Sequence, residues 1–272
     1  QFKIARNQQQ QGTVIMVMDF SKNKTLRNCD EVQSAYWDAV SVTIHTIISY
    51  YKCPKPNCNK TVKHNFLQIS DDLKHDSFLP RVAVREVMSY LQKTGVPVDQ
   101  LLQFSDNCPS QYKCQRSFVE LVQLPVPVTR VFFGEKHGKN PCDTKFSAVK
   151  RQIDSFIDKK NAMFCDNPFL IRNASDLYQM CKSHLEVKLD TNAQGHTHEA
   201  TSFQFLPVVK LRRSDDPQSD SVPGTTKFHQ VRKGTNNNEL LSRRVSCVCT
   251  GCMSLPPTAC NNVIVDPWHS HQ

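Results

Sequence analysis

Short apolar runs alternate with helical stripes along the first two thirds of the chain. Residues 13–18 form a continuous apolar run, as expected of a buried central strand. Residues 1–12 are polar and Gln-rich, which is typical of an extended lead-in or a linker. Four further β-branched, aromatic or apolar runs predict strands, at residues 41–51, 64–70, 101–105 and 128–133.

Helical spacing predicts three helices among these strands. Four apolar residues recur at i, i+3, i+4 and i+7 in the first helix: Val84, Val87, Met88 and Leu91. Residues 110–122 carry a looser helical pattern. The third stripe holds five apolar residues: Phe146, Val149, Ile153, Phe156 and Ile157. The resulting order, β-β-β-α-β-α-β-α, predicts a mixed-sheet α/β domain and is that of the ribonuclease H-like fold.

The character of the sequence changes near residue 200. A strand-like run at residues 201–213 is followed by a Ser/Asp/Pro loop, a basic run and a cluster of cysteines. We therefore predict a ribonuclease H-like core at residues 13–185. A small β-rich, Cys-rich C-terminal domain, which could bind zinc, is predicted at residues 186–272.

Three acids stand where predicted strands end or a helix begins. Asp19 lies on the first strand, Asp106 follows the fourth, and Asp143 opens the helix after the fifth. Mg²⁺ takes carboxylate oxygens and keeps several waters, so convergent acids make an open site. Two metals about 3.5–4 Å apart can stabilise the attacking and leaving oxygens of a phosphodiester displacement. For any one of these acids, a polar loop end is the simpler explanation.

Other side chains near these acids are weaker candidates. Glu135 is an alternative third acid, but it lies in the turn before the helix. On that helix, at 100° per residue, Asp143 falls close to one line with Lys150, beside the apolar stripe. Three side chains follow the third strand, of which the last can simply cap the next helix: Asp72, His75 and Asp76.

Four segments resemble a group of animal transposon-derived proteins, the DDE/DDD-type transposases with a ribonuclease H-like core. The segments are DF at 19–20, ISDDLKHD at 69–76, FSDNCPSQYK at 104–113 and FFGEKHGKNPCD at 132–143, the last followed by VKR at 149–151. The resemblance spans about residues 13–270. It implies nuclear DNA cleavage and strand transfer dependent on Mg²⁺ or Mn²⁺, with Asp19, Asp106 and Asp143 as the metal-binding acids.

Two departures from that group concern the loops beside the acids. Asn107 and Asn140 stand where glycine is usual, and TKFSA replaces a Gly-rich run after the third acid. These changes fit a decayed or domesticated copy that keeps the fold and binds DNA without catalysis. That inactive DNA-binding protein is the alternative to an active transposase.

A polyanionic partner suits the charge of the chain, which is +9 at pH 7 with a pI near 9.0. DNA is therefore the expected partner, and a homo-oligomer is left open. No run approaches the roughly 18 apolar residues of a membrane helix, so no membrane is expected. Six side chains are candidates for DNA contact: Gln111, Lys113, His137, Lys139, Lys150 and Arg151.

The twelve cysteines suggest metal rather than disulfides. Four are spaced C-x-C-x2-C-x7-C, which suits one structural zinc ion: Cys247, Cys249, Cys252 and Cys260. Cys53 and Cys58 with His64 form a weaker candidate, for which an ordinary turn is favoured. Cys165 and Cys181 fall in helix-like segments and are expected to be buried thiols.

A secreted, disulfide-rich binding module is the third hypothesis. It rests on the even number of cysteines and on three N-x-S/T sequons, at Asn23, Asn59 and Asn173. No signal peptide is visible, and the absence of an initiator Met suggests a fragment. An intracellular, nuclear location is the expectation.

Overall fold

The fold is a mixed α/β arrangement, as the order of elements predicts. The computed structural model describes residues 1–26, 40–134, 140–162, 171–189, 197–211, 222–236, 238–254, 260 and 266–271. Within these residues, a ten-stranded mixed sheet is accompanied by six α-helices. None of the described helices combines the length and the apolar character needed to cross a membrane.

The helices and strands have the following bounds in chain order. The strands are β1 (Thr13–Phe20), β2 (Lys24–Thr25), β3 (Ser41–Lys52), β4 (Thr61–Ser70), β5 (Gln100–Ser105), β6 (Val128–Phe132), β7 (Glu199–Phe205), β8 (Gln230–Lys233), β9 (Leu240–Arg243) and β10 (His269–His271). The helices are α1 (Phe2–Asn7), α2 (Phe78–Lys93), α3 (Gln115–Gln123), α4 (Pro141–Ala162), α5 (Ala174–His184) and α6 (Thr250–Met253). Two 3-10 turns cover Val208–Leu211 and Thr225–Lys227.

The centre of the sheet is built from the first five long strands. They lie in the order β4-β3-β1-β5-β6, with β2 as a short addition to β3. Strand β3 runs antiparallel to both β1 and β4, whereas β1, β5 and β6 run parallel. The carboxyl ends of β1 and β5 therefore meet at one edge of the sheet, where a loop can present polar side chains.

Strands from the C-terminal region extend this sheet at both sides. β7 pairs parallel with β4, while β8 pairs antiparallel with β6 and is followed by β9 and β10. The Cys-rich end is thus continuous with the central sheet, on the side of β6. The proposed domain division at residue 186 remains a prediction. Strands from both sides of this position belong to one hydrogen-bonded sheet, so the sheet does not mark a boundary there.

Alternating side chains of β1 separate two layers of core. Met16 and Met18 pack with the apolar stripes of α2 and α3. Ile15 and Val17 face the opposite way, into a layer that includes Phe104 and the first turn of α4. Since side chains alternate along a strand, Asp19 shares the face of Ile15 and Val17. The acid therefore points toward the layer that contains the start of α4.

Residues 1–12 contain a helix rather than only an extended lead-in. The ring of Phe2 packs edge-on against Tyr50 and Phe104, with ring centroids 5.5 and 5.4 Å apart. The Nε2 of Gln9 donates hydrogen bonds to the carbonyls of Thr13 and Tyr50. The polar composition of this segment gave no apolar stripe that would predict a helix. The segment is held instead by one aromatic side chain, Phe2, and one buried amide, Gln9.

Candidate metal centres

Strand register brings two of the three predicted acids to the same level. Val17 of β1 lies beside Phe104 of β5. Two residues further along each strand direction stand Asp19 and Asp106. Parallel neighbours in register point to the same face, so both carboxylates emerge at one edge of the sheet.

The start of α4 adds the third acid through a capping box. Asn140 accepts hydrogen bonds at Oδ1 from the backbone N–H groups of Cys142 (2.7 Å) and Asp143 (3.1 Å). Its own N–H donates to Oδ2 of Asp143 at 3.4 Å, and Pro141 occupies the first helical position. This N-x-x-D pattern with proline is a strong helix start, and it fixes the position of Asp143.

Asn140 also contacts Asp19 directly. Its Nδ2 donates to Oδ2 of Asp19 at 2.5 Å. The thiol of Cys142, which is buried, donates to the carbonyl of Val17 at 3.3 Å and docks the helix start on β1. The side-chain amide of Asn140 thus joins the start of α4 to Asp19. From the sequence, Asn140 stood out only because glycine is usual at this position in the resembling group.

The electrostatics of Asp19 show that the acids influence one another. Burial raises the pKa of Asp19 from 3.8 to about 6, against the lowering effect of the Asn140 hydrogen bond. The carboxylates of Asp143 and Asp106 raise this pKa further. Burial also raises the pKa of Asp106, while the backbone N–H of Cys108 donates to Oδ1 and lowers it. Such an environment favours a proton or a cation at Asp19.

The edge of the sheet that carries Asp19, Asp106 and Asp143, here called the acid edge, is more open than a closed metal site. Among the described residues, two sets of three or more side chains bring all their ligand atoms within 4.8 Å of one another, and both contain cysteine. The set Asp19, Asp106 and Asp143 is not one of them. Its carboxylates share an edge without closing on a common point, which is compatible with a site that keeps several waters.

Stability in the absence of divalent metal should fall as pH rises from about 4 to about 6. The raised pKa of Asp19 means that the folded state binds its proton more tightly than the unfolded state. The contribution of protonated Asp19 to the free energy of unfolding is therefore full below the pKa of the unfolded state. It is lost as pH rises through the pKa of the folded state. We expect the free energy of unfolding, measured with urea, to fall by about 2 kcal/mol over this range. This figure already allows for the partial exposure of Asp19.

Two substitutions test this assignment of the pH dependence. Asp19→Asn should flatten the fall in stability between pH 4 and pH 6. Asp154→Asn removes a carboxylate that pairs with Lys24 on another part of α4 and should leave the fall unchanged. An unchanged slope in Asp19→Asn would assign the titration to another group.

A buried polar chain supports the loop that follows Asp106. The hydroxyl of Tyr112 lies 2.8 Å from Nε2 of His45, and Nδ1 of His45 lies 3.1 Å from Oε1 of Gln68. Gln68 then donates to Gln204 of β7 at 3.0 Å. Burial lowers the pKa of His45 to about 4, so the ring is neutral near pH 7. The chain fixes Tyr112 beneath the acid edge, and no motif in the sequence indicated it.

The predicted DNA contacts are distributed unevenly over the structure. Lys150 and Arg151 are exposed on α4. Gln111 is buried, and so is Lys113, whose Nζ donates to the side chain of Asn107 and to the carbonyl of Thr226. Through these two hydrogen bonds, Lys113 holds the loop after Asp106 in position. The predicted DNA contacts His137 and Lys139 lie outside the described residues, as does Glu135, the alternative third acid.

Residues after β4 take structural roles. Asp76 accepts a hydrogen bond at Oδ1 from the N–H of Phe78 at 3.0 Å, which agrees with its predicted role at the start of α2. The ring of His75 stacks on Phe20 and lies 2.6 Å from Oδ1 of Asn23. Asp72 is buried and accepts a hydrogen bond from the N–H of Lys74. These residues stabilise the loop after β4, which contacts Phe20 beside Asp19 and Ser110 in the loop after Asp106.

The predicted four-cysteine cluster assembles in the C-terminal region and can hold a metal ion such as zinc. Its four sulfur atoms, from Cys247, Cys249, Cys252 and Cys260, all lie within 4.8 Å of one another. The sulfur of Cys260 lies 3.7 Å from that of Cys247 and 4.0 Å from that of Cys249. Tetrahedral zinc with Zn–S bonds of about 2.3 Å separates its sulfur ligands by about 3.8 Å.

Two buried arginines lie against this cluster. Arg243 donates to the sulfur of Cys252 at 3.3 Å and to the carbonyl of Cys247 at 2.8 Å. Arg232 donates to the carbonyl of Cys252 at 2.8 Å. Trp268 covers both guanidinium groups, at 4.3 Å from Arg243 and 5.6 Å from Arg232.

The charge of these arginines is not balanced by acids. Neither guanidinium forms an ion pair with a carboxylate of the described residues. Burial and the neighbouring Arg243 lower the pKa of Arg232 to about 10. A divalent ion on four thiolates carries two negative charges, which would compensate the two buried cations. The donor set therefore fits zinc better than four protonated thiols.

The weaker cysteine candidate has a different third member. His64 is buried in β4, with its ring nitrogens against the hydroxyls of Tyr51 (3.0 Å) and Ser202 (2.8 Å). It does not join the two cysteines, because strand alternation turns its ring into the core. The residue that joins Cys53 and Cys58 is His198, 140 positions away from Cys58. The sequence carries no local signal for so distant a partner.

The remaining thiols agree with a reduced chain. The ten cysteines in the described part of the chain are thiols, and Cys181 is fully buried in α5 as predicted. Cys165 lies outside the described residues. Burial raises the pKa of Cys181 to about 12, so this thiol is inert near neutral pH.

Comparison with known proteins gives one match. A protein-family model described as a domain of unknown function (DUF8701) matches residues 1–246. No curated protein and no solved structure matches the chain. The matched region includes the acid edge and the set of Cys53, Cys58 and His198, and it ends directly before Cys247.

Proposed function

We propose, for a chain that belongs to the DUF8701 family of domains of unknown function, that it is a transposase-like nuclease and strand transferase acting on DNA. Three acids, Asp19, Asp106 and Asp143, would hold Mg²⁺ or Mn²⁺ against the phosphodiester. Oxygen ligands of this kind suit hard divalent cations. The proposed location is the nucleus, with the four-cysteine cluster holding structural zinc.

The observation that carries this proposal is the placement of the acids on the central strands. The order β4-β3-β1-β5-β6, with β3 antiparallel to both of its long neighbours, supports the proposal of a ribonuclease H-like fold. Asp19 ends the central strand and Asp106 follows its parallel neighbour. Asp143 begins the helix that packs on β1 and β3. Acids on these three elements support the proposal, because neighbouring carboxylates could hold the two metal ions of phosphodiester cleavage.

The chain's own groups have distinct tasks in this chemistry. Bound divalent metal would activate the attacking oxygen and neutralise charge on the phosphate. Asp19 and Asp106 supply ligands from one rigid sheet edge, and the capping box holds Asp143 in place. The buried chain from Tyr112 and the ammonium of Lys113 keep the loop after Asp106 in position. Lys150 and Arg151 would contact the DNA backbone as exposed cations.

A second candidate function rests on Asn140. The amide of Asn140 donates to Oδ2 of Asp19, one of the two carboxylate oxygens that could bind a metal. An inactive, transposon-derived DNA-binding protein could keep this bond permanently. The secreted binding module has weaker support, since the described cysteines are thiols.

Nicking of supercoiled plasmid distinguishes the two leading functions. An active enzyme should convert supercoiled DNA to open circles in Mn²⁺ or Mg²⁺ and stop in EDTA. An inactive relative should retard the same DNA in a gel without nicking it. A protein that neither nicks nor binds DNA would contradict both proposals.

Replacement of Asn140 measures how strongly it restrains the site. Asn140→Gly keeps an acceptable N-cap, at a cost of a few tenths of a kcal/mol, while it removes the amide donor. A hydrogen bond to a charged group contributes about 1.5 kcal/mol or more, so Mn²⁺ should bind about tenfold more tightly. The measurement is calorimetric titration with Mn²⁺, with Asn107→Gly as the matched control in the neighbouring loop.

The control separates a local from a general effect. Asn107 donates to the carbonyl of Phe133 and accepts from the ammonium of Lys113, and it does not contact Asp19. Asn107→Gly should therefore leave Mn²⁺ affinity near the wild-type value or lower it. Equal gains in both variants would mean that loop flexibility, rather than release of Asp19, controls metal binding.

A further inference from the structure

The tip of the β3–β4 hairpin and the start of β7 bring two thiols and an imidazole together. The ligand atoms of Cys53, Cys58 and His198 all lie within 4.8 Å of one another. The sulfur of Cys58 is 3.2 Å from Nε2 of His198. In tetrahedral zinc geometry, a sulfur and a nitrogen ligand are separated by about 3.5 Å. The observed cluster is close to that arrangement and lies far along the chain from the four-cysteine cluster.

The backbone of the hairpin is already shaped to present two sulfurs. The N–H of Cys53 donates to the carbonyl of Lys60 and closes the hairpin, while the N–H of Cys58 donates to the carbonyl of Lys55 at 3.1 Å. Asn57 adopts a left-handed conformation, with φ of 65°, which turns the chain back toward Cys53. The turn and the core together order both thiols, since Cys53 belongs to the main core cluster and Cys58 packs against it.

The Cys53 sulfur also receives a backbone hydrogen bond. Burial raises the pKa of Cys53, and the hydrogen bond that the N–H of Lys55 donates to the sulfur opposes this rise only in part. Hydrogen bonds from backbone N–H groups to sulfur are the outer support that thiolate ligands of a metal need. Cys53 is buried, while Cys58 and His198 are partly exposed, so an ion could enter from the solvent side.

We propose that Cys53, Cys58 and His198 form a second zinc site, independent of the four-cysteine cluster and of the acid edge. Two thiolates and one imidazole select a borderline-soft ion such as Zn²⁺ over Mg²⁺ or Mn²⁺. The fourth position is open to water or to a further ligand. The site does not depend on the proposed nuclease activity.

The position of this site gives it a structural consequence. β7 is the last strand of the sheet on its side and pairs with β4 next to the cluster, where the N–H of Lys63 donates to the carbonyl of His198 at 2.7 Å. A metal there would fasten the start of β7 to the hairpin tip and close a loop of 140 residues between Cys58 and His198. Binding should therefore stabilise the strand pairing between β4 and β7.

Zinc stoichiometry of the full chain tests the proposal directly. Protein purified without chelator and analysed by elemental mass spectrometry should contain one more zinc per chain than His198→Ala. His198→Cys keeps a suitable ligand and should retain the wild-type content. Cys114→Ser, which alters a cysteine outside both clusters, is the matched control and should also retain it. An unchanged zinc content in His198→Ala overturns the proposal.

Cobalt spectroscopy provides a second measurement if His198→Ala does not fold. Co²⁺ in place of zinc gives sulfur-to-metal charge-transfer absorption that grows with the number of thiolate ligands. His198→Cys should add one thiolate and increase this absorption relative to wild type. The same absorption in both proteins would show that residue 198 is not a ligand and would overturn the proposal.

Discussion

Asp106→Asn is expected to abolish metal-dependent nicking of DNA while it leaves the fold intact. The substitution removes one negative oxygen from the acid edge but keeps the side-chain volume and an acceptor for the N–H of Cys108. Metal ions supply several kcal/mol of transition-state stabilisation, and each 1.36 kcal/mol corresponds to a factor of ten in rate. We therefore expect a loss of at least about 100-fold, measured as the rate of conversion of supercoiled plasmid in Mn²⁺.

The choice of Asp106 rests on the strand register. It lies two residues beyond the Val17–Phe104 pair, directly after the parallel neighbour of β1, and its carboxylate contributes to the raised pKa of Asp19. Asp99 stands at the opposite end of the same strand, before β5 begins, so Asp99→Asn is a control for general effects on this strand. The control should nick DNA at the wild-type rate.

The same variants also separate nuclease activity from DNA binding. Asp106→Asn should bind DNA as tightly as wild type, or more tightly, because a negative charge near the phosphates is removed. Equal nicking by wild type and Asp106→Asn would contradict the catalytic assignment. Loss of nicking together with loss of folding, monitored by circular dichroism, would be resolved by Asp19→Asn, which alters the neighbouring strand.

The central strands could be predicted because their sequences determine them locally. Strand β1 extends two residues beyond its apolar run, to Phe20, and the long hairpin of β3 and β4 matches the predicted β-branched runs. The chain order of these elements follows from such runs and from short connections. The helix start at Asn140 was missed as a cap, although N-P-C-D is a capping pattern that sequence reasoning can detect.

Contacts between distant segments could not be predicted in this way. His198 joins Cys53 and Cys58 only because β7 adds to the edge of β4, and no periodicity indicates which edge a late strand will extend. Likewise, Arg232 and Arg243 read as an ordinary basic surface in the sequence, yet both are buried behind the four-cysteine cluster. The net charge of the chain therefore overstates the positive charge that is available at the surface for DNA. Two of the positive charges, on these arginines, are buried beside the cysteine sulfurs.

Loss of the metal from the four-cysteine cluster is expected to be the most destabilising single change in the C-terminal region. In Cys252→Ser, the sulfur that accepts from Arg243 is removed and the tetrahedral donor set is broken. Two guanidinium groups would then remain buried without compensating negative charge. Breaking such a buried charge arrangement costs about 3–5 kcal/mol, measured by urea unfolding of the zinc-loaded protein.

A buried cysteine elsewhere supplies the matched control. Cys181 is at least as buried as Cys252 but contacts neither arginine nor other cysteines of a metal set. Cys181→Ser should cost only the burial of a hydroxyl, about 1–3 kcal/mol, and should leave zinc content unchanged. Similar losses in both variants would mean that zinc contributes little to stability.

A double-mutant cycle with Arg243 identifies the origin of the effect. In the zinc-loaded protein, Arg243→Met removes a cation that balances the thiolates, so it should destabilise the fold. In the Cys252→Ser background the same replacement removes an unbalanced buried charge, and it should be neutral or stabilising. The interaction energy should therefore be about 2 kcal/mol or more in favour of the intact pair. Additive costs in the cycle would contradict charge compensation between the arginines and a metal-thiolate centre.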